Sequence, residues 1–279
     1  MKYTHREIAF LTQHGKDQLL QPLFKEATGY SLVRATGYDT DQLGTFTRDI
    51  QRPGSQMAAA RFKAHKAIEL TGLPVGLGSE GTFGADPVGG LLPWNSEVLV
   101  WYDSTSKLEI IGVAQGPGGG FQQTVNCEED LLAFAERAGF PSHGLVLRPD
   151  DANNTNIYKG LTAKSTLITA FRATLAMSKT RQVFAEVDLR AHINPTRQQM
   201  IKRAAEDLIA KLRSPCPRCD EPGFSEKDRI AGLLCALCSN PTRLPAAKVW
   251  RCDACGFSKK TNAADTERAD PSQCDLCNP

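Results

Sequence analysis

Eight of the nine cysteines in this 279-residue chain lie between Cys216 and Cys277, arranged as four C-x-x-C pairs: Cys216/Cys219, Cys235/Cys238, Cys252/Cys255 and Cys274/Cys277. Two residues between thiolates let one tight turn aim both sulfurs at a single ion, and a second such turn completes a tetrahedron. Fifteen residues separate the first two pairs and 18 the last two, the spacing of zinc ribbons. Four thiolates per ion leave no open coordination position, so two structural zinc sites are expected. An iron–sulfur centre or a redox dithiol is the competing reading. Spacing leaves the pairing open: sequential ribbons would join the first four and the last four cysteines, and a cross-braced module would interleave the pairs.

Other chemistry collects at predicted strand ends, where ligands of open α/β sheets bind. Thr12-Gln13-His14-Gly15-Lys16 lies between a strand and a helix. Unpaired N–H groups of the helix start, a glycine allowing close approach and the Lys16 charge make a phosphate cradle. Thr12 as a simple helix cap and Lys16 as a solvated side chain is the plainer alternative. No Walker loop occurs in the chain. Glu80, within Gly78-Ser79-Glu80-Gly81, is a carboxylate at a strand end and suits Mg²⁺, which takes one or two carboxylates plus substrate oxygens. Asp39-Thr40-Asp41 would complete that site or form an Asx-turn. In an extended strand Glu186, Asp188, Arg190 and His192 share one face, which must meet either a ligand cleft or solvent.

The elements that position these groups read as alternating strands and helices over residues 1–213. Strands are expected at 7–13, 30–35, 73–81, 97–103, 107–114, 143–149 and 182–191, with 97–103 and 107–114 forming an antiparallel hairpin. Helices are expected after Gly15 to a stop at Gly29, after a Ser55 cap to Gly72, over 127–139 and 162–178, and over 196–212 with Pro195 at its entry. Residues 37–54 are too polar and too rich in Gly, Asp and Pro for a regular element. The fold class is therefore α/β, a mixed sheet with flanking helices, followed by a small double zinc-ribbon module over 214–279.

Charge and composition narrow the function classes. The chain carries 33 Lys+Arg against 31 Asp+Glu, a formal +2, and 41% hydrophobic residues. This is no polycation, and no apolar run approaches the 18–20 or so residues of a membrane span. The opening MKYTHREIAF lacks the apolar core of an export signal, so a soluble cytoplasmic protein is expected. Residues 211–279 hold 11 Lys+Arg and 9 Asp+Glu. Eight thiolates around two Zn²⁺ would add roughly −4, leaving about −2, which is no footprint for a phosphate backbone. Packing on the main domain or homodimer contacts are the plainer roles for this tail.

Two resemblances add to this reading. DTDQLGTFTRDI, TGLPVGLGSEGTFG, GFPSHGLVLRP, DLRAHINPTR and the terminal CDLCNP resemble a bacterial family of uncharacterised proteins with C-terminal cysteine pairs. The order of elements also resembles the inosine triphosphatase and Maf-type nucleoside triphosphate pyrophosphatases. Their T-N-x-x-K is matched by Thr12 to Lys16 with Gln13 for Asn, and their N-A-x-x-K-A by Ala59 to Ala64 with Lys63 as the cation. Their T-G-x-P is matched by Thr71 to Pro74, their acidic strand end by Ser79-Glu80, and their F-A-E and S-H-R by Phe184-Ala185-Glu186 and Pro195-Thr196-Arg197. An Asn, a carboxylate and the Ser-His of S-H-R are missing here. That resemblance implies a metal-dependent nucleotide hydrolase with Lys16, Lys63 and Arg197 on phosphate. Glu80, with Asp39 or Asp41, would hold Mg²⁺, and Thr12 and His192 would contact the ligand. The alternative is a binding module that has lost catalysis and recognises a nucleotide, nucleic acid or protein, with the zinc tail as its docking surface.

Overall fold

The computed structural model describes residues 6–43, 54–264 and 267–279. The chain divides into two compact units, one ending at Ile209 and one beginning at Ala210. No helix among the described residues is long and apolar enough to cross a membrane.

The first unit opens with β1 (Glu7–Leu11), α1 (Lys16–Thr28), β2 (Ser31–Ala35), α2 (Gln56–Thr71) and β3 (Val75–Ala85). β4 (Pro93–Asp103) and β5 (Leu108–Pro117) follow. The strand order is β2-β1-β3-β4-β5, parallel across β2, β1 and β3 and antiparallel from β3 to β5. The chain therefore leaves β1 in one direction through α1 and returns past it through α2, so right-handed crossovers put the two helices on opposite faces. Residue parity agrees. Ala9 and Leu11 of β1 pack with Ala67 of α2, while Ser79 of β3 meets Lys16 of α1.

Small residues let α2 sit close to the sheet. Ala59, Ala60, Ala64 and Ala67 are its buried apolar residues, and they face Gly76 and Gly78 of β3. A Cβ on Gly78 would collide with the Ala60 carbonyl, and one on Gly76 with that of Ala64. Ser55 caps this helix, its hydroxyl accepting from the Ala58 N–H at 3.1 Å, and Gly72 ends it in the left-handed conformation.

Four further strands make a second, antiparallel sheet in the order β6-β9-β7-β8: β6 (Gln122–Val125), β7 (Leu145–Pro149), β8 (Tyr158–Leu161) and β9 (Val183–Val187). Helices α3 (Glu128–Arg137) and α4 (Lys164–Met177) cover it, burying Leu131, Phe134, Leu167 and Phe171 against its inner strands. The short polar β6 and β8 escape the sequence reading, and β5 runs on through Pro117, beyond the end expected at residue 114.

Strand β9 stops at Val187, not at Ala191, which corrects the shared face of Glu186, Asp188, Arg190 and His192. The Asp188 carboxylate turns back to accept from the Arg190 N–H at 3.0 Å and pairs with the Arg190 guanidinium at 2.6 Å. His192 lies in the 3-10 turn Ala191–Ile193 that leads into α5 (Pro195–Leu212).

The second unit carries the antiparallel sheet β10-β11-β12: β10 (Ser225–Ala231), β11 (Pro245–Arg251) and β12 (Ser258–Asn262). The cysteine pairs sit in the turns between and beyond these strands.

Candidate functional site

In the first unit β1 ends beside the middle of β3, its Ala9 and Phe10 pairing with Gly76 and Leu77, and the chain leaves it into α1 at the point where the sheet order reverses, a place where open α/β sheets bind ligands. The β1–α1 turn holds His14 and Gly15 at φ 60° and 70°, and Lys16 is the first helical residue. This turn drives the Lys16 side chain inward, where its ammonium meets Ser79 Oγ at 3.0 Å and Glu97 Oε2 at 3.9 Å. Burial, with the neighbouring Arg197 charge second, lowers the Lys16 pKa to about 7.

Glu97 is the centre of this arrangement and is fully buried. It accepts from Arg197 Nε at 2.7 Å and from Asn95 Nδ2 at 3.2 Å. Arg197 reaches it from the first turn of α5, which Asn194 caps by accepting the Arg197 N–H at 2.9 Å. The same guanidinium donates to the Leu189 carbonyl at 2.7 Å. Gly81 makes room for the pair: a Cβ there would collide with Glu97 Oε1 and press on Arg197 Nη2. On the opposite face of β3, Glu80 is buried against the Lys63 ammonium of α2. Gln56, the first residue of α2, ties the strands together by donating to the carbonyls of Glu80 and Ser96 at 2.9 and 2.8 Å. Lys16 and Arg197 thus share Glu97 on one face of the sheet, while Lys63 and Glu80 pair on the other.

Of the expected ligand residues, Lys16 and Arg197 meet at Glu97, whereas Lys63 and Glu80 pair with each other on the opposite face of the sheet, and Glu80 stands mid-strand in β3, not at the expected strand end. Thr12 is buried at the end of β1, its hydroxyl donating to the Gln13 carbonyl at 2.8 Å rather than capping α1. Asp39 accepts from Gln13 Nε2 at 3.1 Å, and Asp41 falls in the 3-10 turn Thr40–Leu43 with its side chain outside the described residues. His192 stacks on His14, ring centroids 5.1 Å apart, which sets it beside the β1–α1 turn. Desolvation, with Arg190 second, lowers its pKa. Glu97, Asn95 and Gln56 escape the sequence reading. The signal available for Glu97 was a lone charge opening the apolar run Val98–Trp101.

Beside this cluster opens a cleft of about 570 Å³, lined by the β3–β4 turn, Gly120 to Gln122 and the end of β9. The Arg197 guanidinium sits 5.9 Å from the centroid of the Phe83 ring, which forms part of its wall.

In the second unit the four C-x-x-C pairs build a repeated turn. The N–H four residues after each leading cysteine donates to that cysteine's carbonyl: Asp220 to Cys216, Ser239 to Cys235, Gly256 to Cys252 and Asn278 to Cys274, all at 2.9–3.0 Å. In the first three the leading cysteine's N–H closes the turn on the carbonyl of Glu221, Asn240 and Phe257. Asp220, Ser239 and Gly256 take φ of 63°, 57° and 70°, so each chain reverses directly after its second thiol. Sulfurs also gain N–H donors, Arg218 to Cys216 and Leu237 to Cys235 at 3.4 Å, contacts that favour thiolate.

The pairs interleave. Cys216, Cys219, Cys252 and Cys255 form one tetrad and Cys235, Cys238, Cys274 and Cys277 the other, with all sulfurs of each within 4.8 Å of one another. Nearest S···S separations are 3.8 and 3.6 Å in the first and 3.9 and 3.6 Å in the second. Zn–S bonds of about 2.3 Å in a tetrahedron require sulfurs about 3.8 Å apart, so both donor sets fit zinc. These separations are far beyond the roughly 2.05 Å of a disulfide. An ion so held would carry four sulfurs and supply cross-links, not an open coordination site. The first tetrad has an aromatic cover in which Phe224 lies 6.0 Å from Trp250 and 5.8 Å from Phe257. The second instead exposes Leu237 and Leu276, 73% and 66% accessible, at equivalent positions of its two turns.

Neither a curated protein nor a solved structure matches the chain, so the likeness to nucleotide pyrophosphatases rests on the residues quoted for it alone. A family model described as Domain of unknown function (DUF6671) matches residues 63–279. That span includes Lys63, Glu80, Glu97, Arg197 and both cysteine tetrads, and it leaves out Lys16. Because the match covers well over half of the sequence, the chain belongs to the DUF6671 family.

Proposed function

We propose that the α/β unit binds a phosphorylated ligand at the carboxyl end of β1, beside β3, with nucleoside triphosphates as the first substrate class to test. The observation that carries this reading is the meeting of Lys16 and Arg197 around a single carboxylate, Glu97, at the start of α1 where the sheet order reverses. A surplus of positive charge beside a helix N-terminus favours a phosphoryl group, and low-dielectric surroundings strengthen that attraction. The stacked His14–His192 pair adds a polar wall to the ligand's path.

Hydrolysis between the α and β phosphorus atoms is the finer reading, drawn from the pyrophosphatase resemblance. A magnesium ion would supply a polarised water for that reaction. The donor set does not fit such an ion as it stands. Glu80 is engaged by Lys63 and Asp39 by Gln13, and among the described residues the acid-, His- or Cys-bearing groups that gather as metal donors are the two cysteine tetrads. This pairing favours a second reading, a ligand-binding unit without catalysis, with the cysteine module as a docking surface for a protein or nucleic-acid partner.

Calorimetric titration with normal and deaminated triphosphates, run beside a pyrophosphate-release assay with Mg²⁺, separates the two readings. Binding lost in Lys16→Ala together with pyrophosphate release lost in Glu80→Ala supports the hydrolase. Binding without release supports the second reading. No binding by any phosphorylated compound overturns both.

A further inference from the structure

Where β3 runs past the end of β1, polar side chains from three elements meet. β1 ends at Leu11, one residue after the Phe10–Leu77 pairing, so Ser79 is the first residue of β3 on the α1 face to stand beyond its neighbour. Lys16, the first residue of α1, brings its Nζ to 3.0 Å from Ser79 Oγ. Glu97 Oε2 lies 3.9 Å from the same nitrogen, and that carboxylate is itself held by Arg197 Nε at 2.7 Å and Asn95 Nδ2 at 3.2 Å. Ser79 keeps 3% of its surface accessible and Lys16 7%, so the contact is made almost out of water.

A hydroxyl, an amine within hydrogen-bond reach and a third group that fixes the amine are the parts of an activated nucleophile. A lysine serves as the base only when it is neutral. Burial first and the Arg197 charge second lower the Lys16 pKa to about 7, with Lys63 acting in the same direction and Glu97 and Glu80 opposing. Near neutral pH a large share of the molecules therefore holds a free amine beside the hydroxyl. The start of α1 carries no side-chain cap, so its N–H groups are left for the negative charge that forms when the hydroxyl adds to a carbonyl. A phosphate beside Lys16 would hold the ammonium charged and idle as a base, whereas an uncharged ester leaves the amine free.

We infer that Ser79, Lys16 and Glu97 form a nucleophilic triad that hydrolyses an uncharged carboxylic ester. This activity is separate from the anion binding proposed above and uses the neutral form of the same lysine. The Lys16 amine takes the Ser79 hydroxyl proton as Oγ bonds to the carbonyl carbon, and the carbonyl oxygen takes the electron pair. That pair returns, the C–O bond to the alcohol breaks, and the Lys16 ammonium gives its proton to the departing alcohol. Water then adds to the acyl carbon on Ser79, losing a proton to Lys16, which passes it to Ser79 Oγ as the acid leaves. Glu97 is a positioning residue that holds the amine towards Ser79.

The test treats the full-length, metal-loaded protein with a fluorophosphonate, which bonds to an activated serine oxygen and releases fluoride, and locates the adduct by peptide mass. Ser79 is expected to be labelled at a rate that rises as pH climbs through about 7. Hydrolysis of p-nitrophenyl acetate should follow the same pH dependence. Lys16→Met should slow both reactions about a hundredfold or more, and Ser79→Ala should bring ester turnover down to a similar extent. Glu97→Gln keeps the shape and removes a charge that raises the Lys16 pKa, so it should move the rise to lower pH, a shift that a merely structural role would not produce. Wild-type protein left unlabelled at Ser79 overturns the triad whatever the variants do. Labelling that survives Lys16→Met at the wild-type rate, or turnover that survives Ser79→Ala, overturns it as well. Inorganic phosphate bound by protein that fails both reactions overturns the triad and spares the anion site.

Discussion

The charge cluster of the α/β unit and the cysteine tetrads of the second unit both gather side chains distant in sequence, by opposite physics. Glu97 and Arg197 are 100 residues apart and meet because a layered core already holds β4 and α5 in place. The charges are then an expense the core must carry, since burying an ion pair seldom gains more than desolvation costs. In the cysteine module the order of cause is reversed. Its sheet of three short strands is largely exposed, and the tetrads replace a core too small to stand alone. One region uses structure to hold chemistry, and the other uses chemistry to hold structure.

The largest effect expected from this contrast is metal removal. Structural zinc in small domains is worth ~10–16 kcal/mol of apparent binding energy, so a strong chelator should unfold residues 210–279 and leave the α/β unit folded. Hydrogen exchange read separately over β10–β12 and β3–β5 checks this. Elemental analysis should give about two zinc per chain, and Cys252→Ser about one or fewer. Full exchange protection of β10–β12 after chelation would dissolve the contrast.

Next in size is Glu97→Ala, which strands the Arg197 guanidinium and the Lys16 ammonium without their shared carboxylate. A loss of ~3–5 kcal/mol in urea unfolding of the α/β unit is expected, because an unpaired buried charge costs more than the pair gained. Gly78→Ala follows at ~1–3 kcal/mol, since its new Cβ pushes the Ala60 backbone and lifts α2 from β3. Neither change should alter the zinc content.

A smaller effect sharpens the electrostatics. The Lys16 pKa is lowered from 10.5 to about 7, so between those values the unfolded chain holds a proton that the folded chain has released. Stability from this residue therefore rises as pH climbs from about 7 towards 10.5, and below 7 the cost of its buried charge is fully present. Urea midpoints of wild type and Lys16→Met at pH 7 and pH 9 should show the wild type gaining relative to the variant. A parallel response would mean that Lys16 is charged in the folded state throughout. The smallest effect is Leu237→Ser, at an exposed position of the second tetrad, expected within about 0.5 kcal/mol of wild type.

Legibility in the sequence followed the same division. Ligand identity in the module is local, two thiols per turn, and was readable from spacing. Which pairs share an ion depends on how β10, β11 and β12 fold back, information that no C-x-x-C carries. Glu80, expected at a strand end, stands mid-strand in β3, while the positions of Lys16 and Arg197 at helix starts were readable from the pattern. Glu97 was not, since it stands mid-strand in β4 and its role arises only from the register that sets it opposite Gly81. The row from Glu186 to His192 was misread because period-2 alternation continues past Val187, while the Asp188 carboxylate bends the backbone out of the sheet. The polar strands β6 and β8 have no alternation to detect, and they exist because β9 and β7 offer them hydrogen-bonding edges.

Interleaving of the tetrads bears on synthesis. On a ribosome, Cys216 and Cys219 emerge as half a coordination shell and stay so until Cys255 has appeared 36 residues later. In that interval Cys235 and Cys238 are the nearest thiols able to capture the same ion, giving a sequential four-sulfur loop that must be undone before the native arrangement forms. An ion captured by that sequential set would have to be handed on to the later thiol pairs before the interleaved module could form.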